Sequence, residues 1–217
     1  MNKIFIQGVF NPFMLKAIIF DFDGVLGDTY AMNLEVCQIF KPHLTGESFR
    51  DLHNGNVYKS SDLSFSKDEE IFHASEMKKR FAEKHLFPFK KDIEKLSKNY
   101  KLFIVSSTSE ENLENYLECG GLNAHFEGVF GKNTHKSKVV KFNMIFEKYN
   151  LLSNECLFFT DTLGDIREAN EVNLPSVGVT WGYHDFYTLQ KGNPRKIISE
   201  FDEVVLTIEE YKDKKVE

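Results

Sequence analysis

The chain has 217 residues, of which 41% are hydrophobic and 21 are phenylalanine. That is enough for one substantial core, or a core plus a small second module, and it excludes a disordered polymer. The net charge of −6, with no basic stripe, argues against nucleic acid as a partner. The three cysteines have no C-x-x-C spacing and read as free buried thiols in a reducing cytoplasm. No apolar run approaches the roughly 20 residues of a membrane span.

In chain order, MNKIFIQGVFNPFMLK opens with a lysine and a mostly apolar run. It lacks a small-residue cleavage site and is interrupted by Asn11-Pro12, so residues 1–13 read as an appendage rather than a signal peptide. Ile18 to Phe20 then reads as a strand buried on both faces. It stops at Asp21 and Asp23, which would point the same way from extended backbone while Phe22 turns away to pack. Gly24 lets the chain leave the sheet. Two carboxylates this close repel unless a cation lies between them or one is protonated. The pair therefore suggests a Mg2+ site, an acid/base pair, or both.

Helical spacing follows over Tyr30 to Phe40, with a short helix over Thr45 to Leu52. A longer helix opens on the capping-box sequence Ser66-Lys67-Asp68-Glu69 and runs to about Leu86. Pro88 closes this all-helical block. The α/β alternation then resumes: a helix over Asp92 to Tyr100, a strand over Leu102 to Val105, and a helix over Glu110 to Glu118 capped by Gly120-Gly121. A short strand around Val129, a helix over Ser137 to Tyr149 and a strand over Leu157 to Phe159 come next. A helix over Asp165 to Asn170 and a strand over Ser176 to Val179 complete the pattern. Glu209 to Glu217 reads as a solvated helix end or tail. The fold class is α/β: a doubly wound parallel sheet formed by residues 1–29 and 88–217, with an inserted helical module at residues 30–87.

The segment DFDGVLGDT (residues 21–29) resembles motif I, D-x-D-G-[TV]-L-x-D-[ST], of the haloacid dehalogenase-like hydrolases. Counterparts of the other family motifs follow in order. Leu102 to Val105 ending in Ser106-Ser107-Thr108 resembles motif II, and a plain helix-capping role competes for these hydroxyls. Lys136, in Thr134-His135-Lys136-Ser137-Lys138, resembles the motif III lysine, with Lys138 as the second choice. Leu157-Phe158-Phe159-Thr160-Asp161-Thr162-Leu163-Gly164-Asp165 resembles motif IV, G-D-[ST]-x-x-D, with Thr160 where glycine is common. Trp181-Gly182-Tyr183 resembles the W-G-Y of phosphoglycolate-phosphatase-like members. The tryptophan and tyrosine read as packing at the site's rim, and His184 as a surface or rim histidine.

The resemblance covers nearly all of the chain after Lys16, and residues 30–87 stand where the family's type 1 cap sits. It implies a Mg2+-dependent hydrolase of a small phosphate monoester, working through an aspartyl-phosphate. Asp21 would be the nucleophile and Asp23 the general acid/base. Ser106, Ser107 and Lys136 would bind phosphate. Asp21, Asp23 (through its backbone carbonyl), Asp161 and Asp165 would serve the metal. Arg50, His53, Asn56 and Lys59 are candidate readers of the leaving group. Two alternatives stay open: a β-phosphoglucomutase-like sugar phosphomutase, whose usual histidine after motif I is replaced here by Asn33, and a non-catalytic binding protein on the same fold. The expected protein is cytoplasmic, a monomer or homodimer, and acts away from membranes.

Overall fold

A computed structural model describes residues 14–60 and 65–213; the N-terminal appendage lies outside the described residues. The strands are β1 (Ala17–Phe20), β2 (Lys101–Val105), β3 (Gly128–Phe130), β4 (Cys156–Thr160), β5 (Ser176–Val179) and β6 (Lys196–Ile198). They form one sheet in the order β3-β2-β1-β4-β5-β6, with parallel pairings throughout. The chain lays down β1 to β3 in one direction, then returns to build β4 to β6 on the other side of β1. The order therefore reverses between β1 and β4, and the crevice beyond their carboxyl ends is where such sheets place ligands.

The helices are α1 (Tyr30–Phe40), α2 (Gly46–Asp51), α3 (Lys67–Arg80), α4 (Lys90–Leu96), α5 (Glu110–Gly120), α6 (Lys138–Tyr149), α7 (Leu163–Glu171), α8 (Phe186–Gln190) and α9 (Glu203–Asp213). The period of two along the central strands sorts their side chains into two cores. Ile18, Phe20, Leu102, Ile104 and Phe159 join Leu113 and Tyr116 of α5 on one face. Ala17, Ile19, Phe103, Val105 and Phe158 join Phe142 and Ile145 of α6 on the other. A third, smaller core of Cys37, Leu44 and Phe49, shared with Tyr183, belongs to the helical segment after β1.

Most of the expected elements are present, and the departures have local causes. Helix α3 carries the expected Ser66–Glu69 capping box but ends at Arg80 rather than near Leu86. Phe81 leaves the helix to stack on Tyr116, ring centroids 3.9 Å apart, and beside Phe22. The β6 end of the sheet holds elements that sequence patterning does not show. Strand β6 has only three residues, α8 only five, and α9 begins at Glu203, ahead of the expected tail. Cys37 and Cys156 are buried free thiols as expected, whereas Cys119 is exposed.

The helical segment meets the strand ends along a polar seam. Arg167 donates to the Asn54 carbonyl at 2.7 Å, Asn56 to the Glu168 carboxylate at 3.1 Å, and Tyr58 to the Ser107 carbonyl at 2.6 Å. His184 is buried in this seam, which corrects its reading as a surface or rim residue. Its Nδ1 accepts the Leu163 N–H at 2.9 Å, so the ring proton is on Nε2 and is donated to the Arg50 carbonyl, 2.9 Å away. A second proton would break the Leu163 bond.

Burial holds His184 and His73 below the usual imidazole pKa, and the same cause brings His53 down to about 4. The nearby carboxylates Asp165 and Asp23 pull His53 upward without overcoming burial. In the unfolded chain these rings titrate near roughly 6.5. Between that value and 4 the unfolded state binds the extra protons. The neutral rings therefore contribute their full stability above about pH 6.5 and lose it as the pH falls toward the folded value. Denaturant unfolding at about pH 7 and about pH 5 is expected to cost wild type roughly 1–3 kcal/mol more than His53→Gln on acidification. The difference cancels the other titrating groups, and equal losses in the two proteins would contradict a neutral, buried His53.

Candidate active site

Asp21 is the first residue past β1, its N–H still bonded to the Phe159 carbonyl of β4 at 2.9 Å. Its Oδ1 accepts the Phe22 N–H at 2.7 Å, and its Oδ2 lies 2.9 Å from Lys138 Nζ. The same ammonium is 2.6 Å from Asp165 Oδ2, which also accepts the Thr160 hydroxyl at 2.9 Å. Asp161, at the end of β4, is fully buried. Its Oδ2 accepts the Tyr183 N–H at 2.7 Å, and its Oδ1 has no hydrogen-bond partner. Gly24 adopts φ +74° and passes so close that a Cβ there would overlap the Asp161 carboxylate; only glycine fits that backbone and that space.

Asp23 is turned toward β2. Its Oδ1 accepts the Thr29 hydroxyl at 2.7 Å, and its Oδ2 accepts those of Thr108 at 2.7 Å and Ser106 at 3.3 Å. The carboxylate is thus committed to three hydroxyls, which leaves the backbone carbonyl as its means of serving a metal.

The electrostatics follow from burial. Desolvation lifts the Asp21 carboxyl well above the usual carboxylate range; Lys138 opposes this, and the Asp165 and Asp161 charges add to it. Burial likewise pushes Asp161 up to about 8. For Asp165 burial is again the largest influence, but the Lys138 charge and the hydrogen bonds from Lys138 and Thr160 hold its carboxyl below the usual range. One ammonium therefore stands against three buried carboxylates, and one carboxylate oxygen is orphaned. This donor set fits a divalent cation. Among the described residues no three His, Cys, Asp or Glu side chains are arranged to hold a metal unaided. An ion such as Mg2+ binds through one or two carboxylates and takes water and phosphate for the rest, and Asp21 and Asp161 would supply the protein side of such a set.

Two of the expected phosphate ligands are displaced. Lys136 is exposed, its Nζ 5.3 Å from the centre of the Tyr58 ring. Lys138 takes the place at Asp21. Glu110 fixes the preceding loop by accepting from the N–H groups of Gly131, Asn133 and Thr134. Glu168 accepts the Ser137 hydroxyl and the Lys138 N–H. Ser137 becomes the N-cap, and Lys138 is the first residue of α6 to face the sheet, ahead of the buried Lys141, Phe142 and Ile145.

Ser106 is the second displacement. It is fully buried, and its hydroxyl accepts the Thr108 N–H at 3.0 Å while donating to Asp23. Ser107 and Thr108, not Ser106, reach the cavity in front of Asp21.

That cavity has a volume of about 730 Å³ and lies between the strand ends and the helical segment. Of the candidate readers, His53 and Asn56 line it. Arg50 is exposed with its guanidinium 4.6 Å from the Tyr30 ring centre, and Lys59 is exposed.

The sequence reading missed several residues of the site. Thr29 and Thr108 hold Asp23, and Glu168 ties α6 to α7 and to Asn56. Lys141 donates to the Ser106 carbonyl at 2.6 Å, with burial and the Lys138 charge lowering it to about 8. A lysine on the apolar stripe of α6, one turn after Lys138, was the available signal.

The comparisons agree with this geometry. The model of the haloacid dehalogenase-like hydrolases matches residues 18–179. A phosphoglycolate phosphatase of Synechococcus elongatus is 24% identical over 192 residues, 83% of this chain and 91% of the relative. Two solved structures share the fold. A haloacid dehalogenase-like family hydrolase from Streptococcus pneumoniae superposes with a TM-score of 0.72 at 22% identity, covering 89% of this chain and 98% of its own. A hydrolase from Pseudomonas syringae gives 0.74 at 18% identity, covering 90% and 98%. The chain, with its reversal point between β1 and β4 and its two acidic strand ends, belongs to the haloacid dehalogenase-like hydrolases.

Proposed function

We propose that the chain is a Mg2+-dependent phosphomonoester hydrolase that acts on a small phosphorylated metabolite through an aspartyl-phosphate on Asp21. Residues 1–29 and 88–217 form the catalytic domain, and residues 30–87 form a cap over it. One observation carries this reading: Asp21 faces the cavity with its carboxylate 2.9 Å from the buried Lys138 ammonium. The name of the Synechococcus relative, phosphoglycolate phosphatase, supports phosphate-ester hydrolysis as the reaction class.

Asp21 attacks phosphorus in line, and the bond to the ester oxygen breaks as the new P–O bond forms. Asp23 delivers its proton to the leaving oxygen, then takes one from the water that attacks the phospho-aspartate, releasing phosphate and restoring Asp21. The hydroxyls of Thr29, Ser106 and Thr108 hold Asp23 in place. Because each can rotate between donating and accepting, they serve both its charged and its neutral form. Lys138 opposes the rise that burial imposes on Asp21, favouring its ionised form, and offsets phosphoryl charge. Lys141 and Tyr58 fix the Ser106 and Ser107 carbonyls and so position the β2 turn. Asp21, Asp161 and the Asp23 carbonyl would hold Mg2+, with Asp165 acting through water. When bound, the ion supplies positive charge between carboxylate and phosphate. The cap excludes water from the closed cavity.

Phosphate release from a panel of small esters, with and without Mg2+, tests this reading. Asp21→Asn keeps the side-chain size and removes the nucleophile, so turnover is expected to fall by more than about 1,000-fold. Equal rates in both proteins would sink the mechanism. Lys138→Met is expected to lower kcat by about 100-fold or more, whereas Lys136→Met stays within about threefold of wild type. The reverse order would return the phosphate-binding role to Lys136. Melting curves of each variant separate loss of fold from loss of chemistry.

A further inference from the structure

The cavity in front of Asp21 has a charge inventory that bears on the leaving group. Three lysines line it, and each already has an acid. Lys138 is shared by Asp21 and Asp165, Lys132 lies 2.6 Å from Glu70, and Lys78 lies 2.8 Å from Glu111. No arginine is among the described residues of the wall. The two lining histidines, His53 and His73, are neutral rings, held low by burial.

The far wall is instead built from uncharged hydrogen-bonding groups. Asn33 donates to the Tyr183 hydroxyl at 3.1 Å, and its Oδ1 lies 2.8 Å from His73 Nε2. An amide oxygen can only accept, so the proton is on His73 Nε2 and Nδ1 is left as an acceptor. The Phe65 ring, 5.8 Å from that of His73, adds an apolar face. At about 730 Å³ the space matches sites that enclose ligands of many heavy atoms and is several times what a two-carbon acid phosphate would fill.

We infer that this cavity takes an uncharged, hydroxyl-bearing leaving group of sugar or polyol size, so that the enzyme prefers monophosphates of such alcohols to phosphate esters whose leaving group carries a carboxylate. The inference rests on the phosphohydrolase reading and adds the substrate class. A carboxylate in the leaving group would enter a wall whose lysines are already paired and whose acids repel it, and it would be desolvated without a free cation to meet it. Hydroxyls would find the amide, imidazole nitrogen and phenol that are there.

The experiment compares kcat/KM for a hexose monophosphate, glycerol 3-phosphate and 2-phosphoglycolate, with p-nitrophenyl phosphate as a generic ester. The better of the two hydroxyl-bearing esters is expected to exceed 2-phosphoglycolate by about tenfold or more. Glu70→Gln frees Lys132, so it is expected to raise kcat/KM for 2-phosphoglycolate by about threefold or more and to change the hexose ester by less than about twofold. A wild-type preference for 2-phosphoglycolate overturns the inference. Failure to hydrolyse any ester, including p-nitrophenyl phosphate, overturns the hydrolase reading instead. Calorimetric binding of the same esters to Asp21→Asn then decides the inference independently. Tighter binding of the hydroxyl-bearing ester upholds it, and tighter binding of 2-phosphoglycolate overturns it.

Discussion

Placing three carboxylates in a buried crevice is the constraint on which the rest of this structure depends. Asp21, Asp161 and Asp165 lie at the ends of β1 and β4, each less than one-tenth exposed. Uncompensated buried charges of this kind cost several kcal/mol apiece. The protein answers with backbone N–H groups from Phe22 and Tyr183, the Thr160 hydroxyl, and one ammonium bridging two of the three acids. Those partners come from β1, β4, the turn after β5 and α6, so the site and the sheet order are one problem. Moving Lys138 off the face of α6 would leave Asp21 and Asp165 repelling at close range. The residual charge and the orphaned Asp161 oxygen are what a divalent cation would complete.

Much of this was legible in the sequence. The apolar runs ending in Asp21, Asp23, Asp161 and Asp165 identify their strands because a strand buried on both faces can end in acids only where something binds them. The capping residues Ser66 and Glu69 and the left-handed Gly121 mark helix boundaries for equally local reasons. What was not legible depended on contacts between distant segments. Lys136 and Lys138 are indistinguishable by type and setting in the chain. The choice between them was made by Glu110 and Glu168, which fix the loop and its N-cap from two other helices. Ser106 carries the expected hydroxyl, yet Asp23 and the Thr108 N–H consume it. His184 has no partner of suitable spacing in the sequence because both its partners are backbone groups, at Leu163 and Arg50.

The seam between the helical segment and the strand ends is largely polar along α7 and the β2 turn. Its bonds are mostly between a side chain on one side and a backbone carbonyl or carboxylate on the other: Arg167 to Asn54, Tyr58 to Ser107, His184 to Arg50 and Asn56 to Glu168. A typical intramolecular hydrogen bond contributes only about 0.5–1.5 kcal/mol net, because water replaces it on opening. These four contribute about 2–6 kcal/mol to holding the segment against the strand ends. An apolar seam of the same extent would not release so readily, since opening it would expose hydrophobic surface for which water gives no return. The buried apolar contacts of the segment are divided: Cys37, Leu44 and Phe49 pack with Tyr183 in a small core of their own, whereas Met32, Val36, Met77 and Phe81 join the main core beside Phe22 and Tyr116. The segment is therefore tied to the sheet in two ways, by polar bonds that water can replace and by aromatic packing of Phe81 on Tyr116 and Phe22 that water cannot replace.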